Sequence, residues 1–332
     1  MEIPTRFSTF VTALCLTLFA QTSGHTTDYY KGKTVTYIVA TAPGGGYDIY
    51  GRLVSEYLQK HLPGSTFIVR NLPGAGHLVG ANTLYASKPD GLTIGTFNTG
   101  LIYTQLAEHK GIKFDLREMS WIGKAAADPH ILVVSSNSSL RTFSDLENSK
   151  EQLNFATAGP GSAGYAEILG LTKILNLPIR LLSGYNGNDD QLAMRRGEIV
   201  GTIASRSAFA QFVKNDYGLF LAQFGGKETD LPQMSALAPG EEAQRFIKLV
   251  NAVGDIARLT AAPPSVSPGI LDILRMAYRR SVQDPQFRAT AAKADLPLEP
   301  LFGEDVAQAI SAALDQPPRV RALVKEAFVI NN

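Results

Sequence analysis

Apolar and polar positions in this chain alternate between two periods, and the first change of period is the most informative. Val35, Tyr37, Ile38 and Val39 form a β-branched and aromatic run, the signature of a buried strand. Pro43 cannot donate to a sheet and ends it. Beyond Tyr47 the period becomes helical, with Tyr50, Leu53, Val54, Tyr57 and Leu58 on one face. Between strand and helix stand three glycines, Gly44, Gly45 and Gly46. Without a Cβ they let backbone amides approach a ligand. A helix start adds unpaired N–H groups and the positive end of the helix dipole, so the stretch reads as an anion seat or as a ligand-free turn. Asp48 next to it reads first as a helix-dipole residue of the first turn, and otherwise as part of the seat.

The alternation continues. Thr66-Phe-Ile-Val-Arg70 is a strand, followed by the loop Asn71-Leu-Pro-Gly-Ala-Gly-His77 and a helix carrying Leu78, Ala81 and Leu84. Pro89-Asp90-Gly91 turns into the strand Leu92-Thr-Ile-Gly-Thr-Phe97, and Asn98-Thr99-Gly100 opens the next helix. Strands follow at 121–123 and 131–134. Thr142 and Ser144, with Asp145 and Glu147 three residues on, form overlapping capping boxes. A second strand, glycine loop and helix begins at Leu153-Asn-Phe-Ala-Thr157, passing through Ala158-Gly-Pro-Gly-Ser-Ala-Gly164. Further strands are expected at 179–182 and 199–204. Residues 225–245, rich in Gly, Pro and charge, read as connecting structure, and amphipathic helices fill the tail, including 306–314 and 320–328. Strands alternating with helices predict an α/β fold.

With 332 residues, the chain is long enough for one large or two medium domains. Its net charge of +1 gives no reason to expect nucleic acid or an anionic membrane as a partner. Residues 7–20 are an apolar run of signal-peptide length, too short to span a bilayer. Residues 1–24 are therefore expected to be a cleaved signal peptide, with a mature N-terminus within 21–28. Cys15, the single cysteine, falls inside this leader, so the mature chain has no disulfide and no thiolate site. No His-x-x-x-His pair occurs, and no metal is expected.

The remaining motifs are weighed on their chemistry. Gly159-Pro-Gly-Ser-Ala-Gly164 matches the dinucleotide fingerprint literally, yet the following strand ends Leu182-Ser183-Gly184-Tyr185 without the acid that holds a ribose. No cofactor is expected. Ser162 at a helix start reads as a cap or ligand contact, because no base can be assigned to it. The pair Asp189-Asp190 reads as a solvated helix start. Arg206 offers a fork suited to a carboxylate, or an internal salt bridge.

In order, Ala42-Pro-Gly-Gly-Gly-Tyr-Asp48 with Arg52, Asn71-Leu-Pro-Gly-Ala-Gly76, Lys88-Pro-Asp-Gly91, Phe114-Asp115, Ala158-Gly-Pro-Gly161 and Gly184-Tyr185 resemble the extracytoplasmic receptors of tripartite tricarboxylate transporters, the Bug family. The resemblance runs from about residue 29 to the C-terminus. It implies a two-domain, type II periplasmic-binding-protein (Venus flytrap) fold that closes on a small carboxylate, held by backbone amides and waters. One glycine loop would come from each domain: Gly44, Gly45, Gly46, Tyr47 and Asp48 from the first, Gly161, Ser162, Ala163, Gly164 and Tyr165 from the second. Asn98, Thr99, Tyr185 and Asn186 would form the wall. Tyr165 stands where the family commonly has a histidine, and Ser205-Arg206 replaces an acidic ending.

The expected domains are 29–124 plus 255–332, and 125–254. The expected role is that of a monomeric periplasmic receptor which delivers its ligand to integral membrane transporter subunits and catalyses nothing. An adaptor for a signalling kinase, or an enzyme acting on an anionic substrate, are the alternatives. A side chain at Gly46 is expected to block the anion seat and leave the fold intact.

Overall fold

The computed structural model describes Met1 and residues 28–227 and 230–329. The expected leader and Cys15 lie outside the described residues. The chain first builds β1 (Thr34–Val39), α1 (Gly46–His61), β2 (Thr66–Asn71), α2 (Leu78–Tyr85), β3 (Thr93–Thr96), α3 (Leu101–Leu106) and β4 (Ser120–Lys124). It then crosses to β5 (His130–Ser135), α4 (Phe143–Glu147), β6 (Leu153–Thr157), α5 (Ala163–Leu175), β7 (Ile179–Ser183) and α6 (Asp189–Arg196). This second half continues through β8 (Gly201–Ser205), α7 (Arg206–Lys214), β9 (Gly218–Phe224), α8 (Met234–Leu237) and α9 (Glu241–Asp255). A second crossing returns it to β10 (Leu259–Ala262), α10 (Pro268–Gln283), α11 (Pro285–Lys293), β11 (Leu301–Phe302), α12 (Gly303–Leu314) and α13 (Pro318–Val329).

Among the described residues the strands form two sheets, ordered β11-β4-β10-β3-β1-β2 and β7-β6-β8-β5-β9. Each has a parallel trio at one edge, β2-β1-β3 in one and β7-β6-β8 in the other. Each also takes one antiparallel strand directly after a crossing: β10 lies between β3 and β4, and β5 between β8 and β9. The two halves thus repeat one topology, and the strand that follows each crossing is locked into the middle of its sheet.

Most elements follow from the periodicities. Thr142 and Asp145 complete their capping box, which satisfies two backbone donors at the start of α4. Residues 225–245 are not simply connecting structure, for they hold α8 and the start of α9. The charge of Glu241 and Glu242 lies in the first turn of α9, while Phe246, Ile247, Val250 and Val253 bury its other face.

The tail does more than return to the first sheet. α10 and α12 pack there, but α13 leans on α5 and α9 as well as on α3. Phe328 meets Tyr165 edge-on at 5.3 Å between ring centres, and Lys173 pairs with Glu326. The largest apolar cluster accordingly runs through both halves, from Ile38 and Leu101 to Phe155, Phe246 and Phe328.

Elsewhere the halves meet backbone to backbone. A Cβ placed on Gly161 would lie 1.7 Å from the Gly76 carbonyl oxygen, and one on Gly100 would lie 2.1 Å from the Ala163 nitrogen. Neither neighbour is a side-chain tip that can swing aside. Gly161→Ala is therefore expected to hold the halves apart while leaving both sheets folded. The check is small-angle scattering, in which the variant should have a larger radius of gyration than the wild type.

Candidate functional site

The carboxyl ends of the parallel strands in both sheets face each other across a cavity of about 120 Å³. The crevice beyond such strand ends is where α/β sheets place ligands. From the first half come Thr41 and Ala42 after β1, Gly45, Gly46 and Tyr47 at the start of α1, His77 before α2, and Asn98 after β3. The second half supplies Thr157 and Ala158, then Ser162, Ala163 and Gly164 at the start of α5, with Tyr185 and Asp190 beyond β7. His130 and Arg258 enter next to the two crossings.

The β1–α1 loop is braced from behind. Asp48 is buried and accepts from the Gly44 amide at 3.0 Å, the Asn71 side chain at 2.9 Å and the Arg52 Nε at 3.0 Å. Burial opposes the charge on Asp48, but these donors outweigh it and lower its pKa. Gly44 needs its glycine for a φ of 89°. Beyond this clamp, the Asp48 and Ile49 amides bond back to the Gly45 carbonyl, and Gly46 and Tyr47, which precede them in the first turn, line the cavity.

The facing helix, α5, begins differently. Its Ala163 amide donates to Asn98 Oδ1 at 3.0 Å, and the same oxygen accepts from Gly100 at 2.8 Å. A side chain from one half thus caps a helix of the other. Ser162 donates its hydroxyl to the Gly159 carbonyl at 2.7 Å, which commits that proton although His130 shares the cavity wall.

Beneath the floor lies a buried ion pair. Arg258 Nη2 bonds Asp128 and, at 3.0 Å, Ser207 Oγ; Ser207 also donates its amide and hydroxyl to Asp128. The Arg258 guanidinium stacks 4.4 Å from the Tyr47 ring centre and 5.1 Å from that of Tyr50. Burial works against its charge, but Asp128 and the two phenols more than compensate, and its pKa is raised.

Besides Arg258 and the two tyrosines, His77, Asp190 and His130 face the ligand space. His77 is held near a pKa of about 4 by burial, against a backbone hydrogen bond to Gly161, and is neutral. Asp190 accepts the Gln191 amide at 2.7 Å, and desolvation pushes its pKa up to about 7. His130 shares Glu167 Oε1 at 2.7 Å; burial disfavours its charge, but the carboxylate prevails and raises its pKa. Among the described residues no cluster of three or more His, Cys, Asp or Glu has the arrangement of a metal site.

The family model for the tripartite tricarboxylate transporter family receptor matches residues 50–328, most of the chain. The chain belongs to that receptor family. A UPF0065 protein of Cupriavidus necator is 24% identical over 290 residues, covering 83% of this chain and 82% of that protein. The fold is shared with the periplasmic binding protein BugD, at a TM-score of 0.75 and 18% identity over 90% of this chain and 99% of BugD. It is shared also with MatC from Rhodopseudomonas palustris, solved with bound malate, at a TM-score of 0.72 and 20% identity over 88% of this chain and 99% of MatC. The two-domain binding-protein fold expected from the sequence is the one observed.

In this receptor, eight of the residues singled out from the sequence line the cavity: Gly45, Gly46, Tyr47, Asn98, Ser162, Ala163, Gly164 and Tyr185. Seven lie elsewhere. Gly44 and Asp48 form the clamp behind the loop. The Thr99 amide donates to the Tyr47 hydroxyl at 3.3 Å. Gly161 belongs to the seam with Gly76, and Tyr165 to the contact with Phe328. Asn186 braces its own loop through Asp189 and Gly184. Arg206 is engaged in an internal salt bridge, 2.6 Å from Asp230, with Gln223 at 3.0 Å. Its fork is occupied.

Residues without a local motif were missed: His77, His130, Asp190 as a cavity residue, and Arg258. Arg258 pairs with a residue 130 positions earlier, a contact no local pattern announces. Asp190 was read as solvated because charged helix starts usually are.

Gly46 has a different role from the one expected. Positive φ is required at Gly44, whereas a Cβ on Gly46 would sit 2.8 Å from Arg258 Nη2, which is locked by Asp128. Gly46→Val should therefore weaken carboxylate binding at least tenfold, about 1.4 kcal/mol, and also lower the melting temperature. Gly45→Ala, whose Cβ would meet Gly187 Cα at 3.8 Å, should melt like wild type. Calorimetric titration alongside thermal melts checks both.

Asp190 adds a pH dependence. With a pKa raised to about 7, it is neutral below that pH and anionic above it. An anionic ligand should bind best below pH 7 and lose affinity as pH rises. Two like charges ~6 Å apart at an effective dielectric of about 20 repel by about 3 kcal/mol before screening, so a fall of at least about tenfold is expected. Asp190→Asn should flatten it, read by titrations at pH 6 and 8.5.

Proposed function

We propose that this chain is an exported receptor that captures a small carboxylate between its two domains and hands it to integral membrane transporter subunits. The observation that carries this reading is the pair of helix starts, α1 and α5, facing one cavity from opposite halves. An anion there meets first-turn backbone of α1 and the favourable dipole ends of both helices. A conformation that offers both sides at once is stabilised by the anion, which is the thermodynamic content of closure. Charge-assisted hydrogen bonds contribute about 1.5–3 kcal/mol each, so several give micromolar affinity after the entropic costs of association.

The moving bodies in this reading are 29–124 plus 255–332, and 125–254, with α13 bearing on both. The crossings near 125–129 and 256–258 are where few residues change backbone angles. Export rests on the apolar run at 7–20, and among the described residues no helix is long and apolar enough to cross a membrane. The malate seen in MatC makes small hydroxy- and dicarboxylates the first ligands to try.

The test is direct. Protein purified from a periplasmic fraction without added ligand is denatured, and the released small molecules are identified by mass spectrometry. Carboxylates are expected, with micromolar dissociation constants when titrated back and a smaller radius of gyration on binding. A folded protein that releases and binds no carboxylate would overturn the reading.

A further inference from the structure

One buried side-chain chain in the molecule is not accounted for by capture of a single carboxylate. Glu167, on α5, is fully buried, and its Oε1 takes two hydrogen bonds. Tyr103, on α3 of the other half, donates its hydroxyl at 2.9 Å, and His130 Nδ1 lies at 2.7 Å. Both partners are buried as well. Placing a carboxylate in such a setting is costly unless a cation accompanies it. With Nδ1 committed to Glu167, the ring keeps Nε2 for the cavity it lines, and that nitrogen has no hydrogen-bond partner among the described residues.

We propose that His130 reads a second anionic group on the ligand, with Glu167 and Tyr103 as its positioning residues. The proposal rests on the carboxylate-capture reading and adds to it a division of labour. One carboxylate sits on the backbone amides of the α1 start, and the other is met by His130 Nε2–H from the second half. Because Tyr103 and Glu167 belong to different halves, their bond is made when the halves are together, so the orientation of His130 is tied to closure.

Charge decides the pH behaviour. The groups facing His130 are Glu167 and Asp128, which favour its protonated form, and Arg258, which disfavours it. Tyr103 bonds the same carboxylate oxygen, and Asp190 and neutral His77 share the cavity. With its pKa raised, His130 is a cation at low pH and loses its proton as pH rises. The contact to the second carboxylate is present below the His130 pKa and fades above it. Asp190, raised to about 7, ionises as well, so the effect is cleanest in the Asp190→Asn background.

The experiment uses matched probes in calorimetric titration from pH 5.5 to 9: malate with 3-hydroxybutyrate, succinate with butyrate, and adipate with hexanoate. Each pair differs by one carboxylate replaced by methyl. In Asp190→Asn protein the diacid should bind at least tenfold more tightly than its monoacid at low pH, with the gap closing as pH rises. Adding His130→Gln should remove the gap, with the diacid losing far more affinity than the monoacid. Adding Glu167→Gln should move the closing of the gap to lower pH, a shift that a merely structural carboxylate would not produce. If the substituted proteins do not fold, NMR titration of His130 in the wild type replaces them, and its pKa should rise with the diacid and not with the monoacid. A gap independent of pH, equal losses for both members of a pair, or an unmoved His130 pKa would overturn the proposal while leaving carboxylate capture standing. Failure of every probe to bind would instead count against the capture reading itself.

Discussion

The buried pair of Arg258 and Asp128 is the interaction on which the arrangement turns. Asp128 sits in the first crossing and Arg258 in the second, so their bond ties together the two strands of chain that join the halves. The crossings also exchange backbone bonds, Ala125 to the Arg258 carbonyl and Asp128 to the Gly254 carbonyl, each at 3.0 Å. Ser207 fastens the same carboxylate to the second half, and the guanidinium supports Tyr47 and Gly46 in the first. Breaking such a pair by removing one partner typically costs about 3–5 kcal/mol, because the other charge is left buried and alone. Arg258 holds a left-handed φ of 57°, unusual for a residue with a side chain. That strain is tolerated where surrounding contacts over-determine it.

Charge in the cavity is consequently layered. Arg258 is largely spent on Asp128, and Asp48 on its clamp, so neither dominates the ligand space. What remains for an anion is backbone polarity from helix starts, with His130 and Asp190 added from the second half and neutral His77 from the first. Backbone dipoles offer an anion a seat with little discrimination among carboxylates. Choice among ligands then falls to the side chains around it.

Much of this was legible locally. The glycine run after a buried strand, the change of period at Tyr47 and the second loop at Gly159 are all short-range signals, and they located the two helix starts correctly. The order of the motifs carried the fold. The parts that were not legible depend on distance along the chain. Arg258 meets Asp128, His130 meets Glu167, and Asn98 caps α5, each through packing that no window of neighbours encodes. Helix α9 was hidden for a different reason. Its charged first turn follows a Gly- and Pro-rich stretch, so composition masked a periodic apolar face that begins two residues inside the helix. Arg206 has the chemistry of a ligand clamp or of an internal salt bridge, and only its distant partner Asp230 decides for the second.

The seam of Gly76 against Gly161, and of Gly100 against Ala163, has an evolutionary consequence. The fit of one half on the other is written there largely in main chain. The cavity, by contrast, is distinguished by residues such as His130, Asp190 and Gln191, which stand clear of that seam. Shape and selectivity therefore reside in different atoms. A descendant of this chain can exchange its cavity residues one at a time and acquire a new ligand, while inheriting unchanged the surface on which its halves meet.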